Sequence, residues 1–133
     1  MKKGYHTNIE QSVQENASFR RVLYTGEQSQ LVLMTLQPGQ EIGLEMHTEN
    51  DQFFRFESGQ GRVIINETEY VVTDGHAIVI PRGATHNIIN TSETDMLKMY
   101  TIYSPAHHKD GIIHETKEIA SQDKEEFDGM TTE

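Results

Sequence analysis

Residues 75–90 read GHAIVIPRGATHNIIN, and their punctuation decides the fold. The run HAIVI is β-branched and too short for a helix, and it stops at Pro81. The proline ring has no N–H to donate and pushes Ile80 toward extended backbone. Pro81-Arg82-Gly83 then reads as a sharp turn, after which HNIIN starts a second β-branched run. Asp74-Gly75, just upstream, is another tight-turn signal. Two short strands joined by such a turn come back to the same end of a sheet or barrel.

The same grammar extends outward from Phe19 to Tyr103. FRRVLY, QLVLMTL, QFFRF, RVIIN, EYVVT, HAIVI, HNIIN and MLKMYTIY are rich in Val, Ile, Tyr, Phe or Thr. Between them stand TGEQS, QPGQE, ESGQG, NET, TDG, PRGAT and TSETD, all turn-forming in composition. No amphipathic helix of 10 to 15 residues separates the runs, so βαβ units are excluded. An all-β antiparallel sandwich or barrel is the expectation.

The chain has 133 residues, which suits one core and one domain. It has no cysteine, so disulfides and thiolate chemistry are excluded and any metal must be held by nitrogen and oxygen. The N-terminus MKKGYHTNIEQS lacks the apolar core of a signal peptide, and no stretch is long and apolar enough to span a membrane. A cytoplasmic location is expected. A formal charge of -10 disfavours nucleic acid and anionic membranes as partners and leaves a small molecule. About half of that charge lies in residues 115–133, which hold seven acids and two lysines. Such a composition predicts a solvated or frayed acidic tail, with at most a turn or two of helix in TKEIASQ. The expected layout is an N-terminal arm over residues 1–18, the barrel over 19–114 and this tail.

Residues 41–52, EIGLEMHTENDQ, carry the chemistry. Alternate side chains on an extended segment share a face, so Glu45 and His47 project together about 7 Å apart, near enough to share one ion. Gln52 follows a short polar loop and opens a strand on which Gln52, Phe54 and Phe56 share a face. Glu-x-His is by itself a weak signal, since both residues are common on half-solvated strands.

Together with residues 75–90, however, this stretch resembles the cupin superfamily. Gly75, Pro81, Gly83, His86 and Asn90 match each position of that family's second motif, and Gly39, His47 and Gly59 fit the first. The fifteen residues Gln60 to Asp74 are a usual spacing between the motifs in a small cupin. The resemblance implies a double-stranded β-helix, or jelly-roll barrel, of the single-domain cupin-2 type. It also implies metal-ligand positions at Glu45, His47, Gln52 and His86. Glu45 stands where a histidine is usual and Gln52 where a glutamate is usual. One carboxylate and two imidazoles still match the 2-His-1-carboxylate set, with Gln52 adding a weak oxygen ligand. The set of Gln, Glu and two His is similar to the zinc site of type I mannose-6-phosphate isomerases. Zn, Mn, Fe and Ni are all admissible, and a metal-free pocket with a hydrogen-bonded polar cluster is the alternative.

The function implied is a metal-dependent enzyme acting on a small oxygenated metabolite, dioxygenase-like or sugar-isomerase-like. The alternative is a non-catalytic module that binds a sugar or small metabolite. No Ser-His-Asp signature, glycine-rich phosphate loop or glycosidase carboxylate pair supports other chemistry. His76, His107, His108 and His114 are expected at the surface, Tyr100 and Tyr103 in a core or interface, and Arg55 on the face opposite Phe54 and Phe56. Arg82, in the Pro-x-Gly turn, is placed at a rim. The apolar strand LVLMTL beside FRRVLY, with an exposed sheet edge to manage, predicts a homodimer.

Overall fold

The structure, a computed structural model, covers residues 1–133. All eight expected runs are strands: β1 Arg20–Thr25, β2 Gln30–Leu36, β3 Asp51–Ser58, β4 Gln60–Ile65, β5 Thr68–Thr73, β6 Ala77–Ile80, β7 His86–Asn90 and β8 Leu97–Ser104. A two-residue strand, β9 (Ile113–His114), and two short helices, α1 (Ile9–Glu15) and α2 (Lys117–Gln122), complete the fold. The strands form a six-stranded antiparallel sheet in the order β6-β3-β8-β2-β1-β9 and a three-stranded one in the order β5-β4-β7. This is the all-β jelly-roll barrel that the turn pattern and motifs imply. No helix is long and apolar enough to cross a membrane.

The core lies between the sheets, because alternate residues of each strand point inward. Val32, Met34 and Leu36 of β2, Phe54 and Phe56 of β3, Val63 of β4, Ile88 of β7 and Leu97 and Met99 of β8 are all buried there. The Phe54 and Phe56 rings run nearly parallel, 6.2 Å apart. Each of these large side chains contributes about 1.5–3 kcal/mol through burial. Arg55 points the other way, as alternation requires, and pairs with Glu57 at 3.1 Å.

Both ends of the chain depart from expectation. The N-terminal arm contains α1, capped by the Asn8 side chain, which accepts from the Gln11 N–H at 3.2 Å. Its Val13 is fully buried, and the helix lies against β2, β3 and β8. The C-terminal segment is not a frayed tail. After α2, which occupies the expected TKEIASQ stretch, it runs back over the barrel. The Phe127 N–H donates to the His107 carbonyl at 3.0 Å and the Thr132 N–H to the Thr25 carbonyl at 2.9 Å. The Glu133 carboxylate accepts from the Gly4 N–H and the Tyr24 hydroxyl, each at 2.8 Å. Glu125 and Glu133 are thus tethered singly by partners far away in sequence.

Candidate functional site

Glu45 and His47 do not sit on a regular strand. Residues 41–45 cross beside β7 as an extended segment held by two isolated bridges, Glu41 with Ile89 and Glu45 with His86. Between the bridges Gly43 adopts φ +111°, which an L side chain rarely accepts. The Glu45 N–H donates to the His86 carbonyl at 2.9 Å and the His86 N–H to the Glu45 carbonyl at 2.8 Å. These reciprocal bonds clamp the first motif onto the second. Alternation still operates: Leu44 and Met46 are exposed, whereas Glu45 is half-buried and His47 buried.

Glu45, His47 and His86 come together, and Gln52 stands opposite Tyr103 in the β3–β8 ladder; the Tyr103 ring is 5.8 Å from that of His47. Glu45 Oε2 lies 3.2 Å from His47 Nε2. That nitrogen is nevertheless buried without a hydrogen bond, so the two atoms are close but not aligned as donor and acceptor. The His47 and His86 rings are 5.2 Å apart. His86 Nδ1 donates to the Ala84 carbonyl at 3.0 Å, an assignment that leaves its Nε2 with a free lone pair. Gln52 is buried; its Nε2 donates to Thr101 Oγ1 at 3.0 Å, and its Oε1 is buried without a partner.

Each of these orphaned buried polar atoms, His47 Nε2 and Gln52 Oε1, is costly unless something satisfies it. Two ligands each about 2.1 Å from a common cation stand roughly 3.0–3.4 Å apart, and the Glu45–His47 separation of 3.2 Å falls in that range. The structure shows no group of three His, Asp or Glu side chains closed around one point. By chemistry, however, a carboxylate, two imidazoles and an amide oxygen fit a divalent cation. Burial raises the Glu45 carboxyl, but His47 at hydrogen-bonding distance, with Arg20 and His86, more than offsets it, and the net displacement is downward. Burial pulls His86 down. Both groups therefore favour the forms that ligate metal.

Three histidines expected at the surface are not there. The His107 ring stands 4.3 Å from that of His47 and 5.2 Å from Tyr103. Burial, reinforced by His108 and His47, brings its pKa down to about 4. His108 and His114 are buried. His114 bridges Arg20 Nη1 at 3.1 Å and Asp123 Oδ2 at 2.9 Å. His108 bridges the Tyr103 hydroxyl and the Glu125 carboxylate. Tyr103 is thus a core residue that also borders the site, and burial raises its phenol, which stays protonated. Tyr100 packs on Phe53 on the opposite face, and His76 is exposed as expected. Arg82 is exposed, and its backbone N–H bonds the Asp51 carboxylate at 2.9 Å. The His107 ring faces His47, while the His108 ring, 4.8 Å from it, turns to the Tyr103 hydroxyl and Glu125. No local signal shows that the loop after β8 folds inward.

A cleft of about 400 Å³ opens over His47 and His107, walled by Met46 and by Glu126 and Phe127 of the C-terminal segment. Glu49 also lines it, and no lysine or arginine does.

A jelly-roll barrel with both motifs paired across its mouth defines a small single-domain cupin. Residues 32–103 match the family model of the cupin domain, and the chain belongs to that family. It is 46% identical over 112 residues to the uncharacterized protein L612 of Acanthamoeba polyphaga mimivirus, a match covering 82% of this chain and 70% of that protein. It is 42% identical over 129 residues to the uncharacterized protein YrkC of Bacillus subtilis, covering 91% and 69% respectively. The crystal structure of BH2720 from Bacillus halodurans superposes with a TM-score of 0.89 at 42% identity, covering 91% of this chain and 96% of that one.

Proposed function

We propose that this cupin is a metal-dependent enzyme acting on a small oxygenated metabolite, with Glu45, His47, Gln52 and His86 holding one divalent transition metal. The observation that carries the proposal is the pair of buried, partnerless atoms His47 Nε2, 3.2 Å from the Glu45 carboxylate, and Gln52 Oε1. When bound, Zn, Mn, Fe or Ni supplies Lewis-acid or redox activation of a substrate oxygen. The chain supplies the rest. The hydrogen bond from His86 to Ala84 fixes the imidazole's tautomer, and the His47 and His107 rings floor the cleft while Met46 and Phe127 wall it. With Glu49 and Glu126 at its rim and no basic side chain, the cleft favours a neutral metabolite over a phosphate ester or uronate.

Elemental analysis after dialysis against Mn, Fe, Zn or Ni tests the site. About one metal per chain is expected in the wild type and none in His47→Ala or His86→Ala, whereas Gln52→Ala binds more weakly. Uptake falls below about pH 6, where imidazoles begin to protonate. Equal uptake by the double histidine variant would move the metal elsewhere. Loading with Fe(II) or Zn under argon, then adding polyols, enols, catechols and sugars with and without oxygen, sorts the reaction. Oxygen consumption with Fe(II) alone marks a dioxygenase, and anaerobic isomerisation with Zn marks an isomerase.

A further inference from the structure

A hydrogen-bonded chain runs from the C-terminal segment into the barrel. Glu125 Oε1 lies 2.7 Å from His108 Nδ1, and His108 Nε2 lies 3.2 Å from the Tyr103 hydroxyl. All three side chains are buried, none of them more than 9% exposed. Each hydrogen on this chain has one sensible place. The Glu125 carboxyl is pushed up by burial, but the hydrogen bond and charge of His108 outweigh this and hold it below its ordinary value. Burial holds His108 down, so a neutral ring meets a carboxylate. Nδ1 therefore carries the hydrogen and Nε2 the lone pair. Tyr103 must donate its only hydrogen to Nε2, so toward Gln52, the residue directly opposite it in the β3–β8 register, its oxygen can act only as an acceptor.

Gln52 is buried beside Thr101 and Tyr103, and its amide has two ways to sit. With Tyr103 unable to donate, a carbonyl turned toward the phenol oxygen would face another acceptor. The amide nitrogen donates to Thr101 Oγ1 at 3.0 Å, and Oε1 is left buried and unpartnered. We propose that Glu125, His108 and Tyr103 are positioning residues which, through this chain, aim the Gln52 carbonyl oxygen at the metal, so that the C-terminal segment is part of the site. This rests on the reading of Gln52 as a metal ligand. It assigns the buried carboxylate and imidazole a role the ligand set leaves unexplained.

The test uses the full chain and two shape-conserving variants. Tyr103→Phe removes the phenol oxygen without emptying its packing. Glu125→Gln permits His108 to carry its hydrogen on Nε2, which frees the Tyr103 hydrogen to turn toward Gln52. Chelator competition with Mn(II) and Zn(II) should show each variant binding roughly tenfold more weakly than wild type, the usual scale for an outer partner of a metal ligand. In a Gln52→Ala background neither change should weaken binding further, because the group they aim is gone. Unchanged affinity, or the same loss in both backgrounds, overturns the proposal. The metal-free protein gives an independent reading, since Glu125→Gln should move the Gln52 side-chain amide resonances and the ring-nitrogen shifts of His108. A wild type that takes up no metal would defeat the reading of the ligand set, and unmoved Gln52 resonances would defeat the chain.

Discussion

Gly59 joins β3 to β4 at φ +92°, and a Cβ there would collide with the Met96 carbonyl oxygen and stand 3.0 Å from Leu97 Cα. Neither neighbour is a flexible side-chain end, so nothing relaxes cheaply. Gly59→Ala is expected to cost about 2–3 kcal/mol in urea unfolding, from backbone strain plus contact. Gly39 also has a positive φ, +74°, but faces open space, so Gly39→Ala should cost only about 1 kcal/mol. The difference isolates the close approach of β3–β4 to β8. Among titrating residues, His107 is held at about 4 against its ordinary 6.5. Between those values the unfolded chain binds a proton that the native site refuses, so stability falls as pH falls through the window. His86 and His108, also lowered, act in the same direction. Glu45 and Glu125 sit below their ordinary 4.5, and their contribution, present above that value, is lost on further acidification. In metal-stripped protein the urea midpoint should decline from pH 6.5 toward 4, and His107→Gln should flatten the upper part of the decline. A midpoint constant over that range would contradict the buried, neutral state of these imidazoles.

The elements differ in how far they were legible, and the difference follows the range of the forces that make them. Strands β1 to β8 are announced by β-branched runs and by turns such as Asp74-Gly75 and Pro81-Arg82-Gly83, all local signals. Their facing is local too, because strand alternation alone puts Gln52, Phe54 and Phe56 on one side. The ligand positions Glu45, His47, Gln52 and His86 come from the family resemblance of two short turn-bounded motifs, and the Glu45–His86 bridge joins the segments that carry Glu45, His47 and His86. Helix α1 escaped because IEQSVQE offers only Ile9 and Val13 as apolar residues, too few for a stripe, and only Val13 is buried. The C-terminal segment escaped because single residues anchor it. Glu125 reaches His108 across 17 positions and Glu133 reaches Lys3 across 130, and composition carries no trace of such partners. A run of acids reads as solvated until a buried imidazole is found opposite one of them. The same long-range return made His107 and His108 interior and gave the cleft its second wall.

For the molecule as a whole, the surface expected to mediate a homodimer is occupied by the chain itself. Strand β2 is buried on both sides: Val32, Met34 and Leu36 enter the core, while Leu33 and Thr35 lie beneath the α1 region. Thr35 Oγ1 donates to the Asn16 carbonyl at 2.9 Å and accepts from the Asn16 amide at 3.2 Å, pinning the end of α1 to the outer face of the sheet. The free edge of β1 is closed by β9, through Arg20 with His114 and Arg21 with Ile113. The opposite edge, β6, is only four residues long, a form that limits edge-to-edge pairing. We therefore propose that α1 stands in for a partner subunit on this face. The expected result of sedimentation at micromolar concentration is a single species of 15.2 kDa. Val13→Asp places a charge in a fully buried contact and should lift α1, exposing the β2 face as an apolar patch that self-associates. A wild-type dimer that persists unchanged in Val13→Asp would place the contact on another surface and show that α1 covers the sheet without replacing a partner.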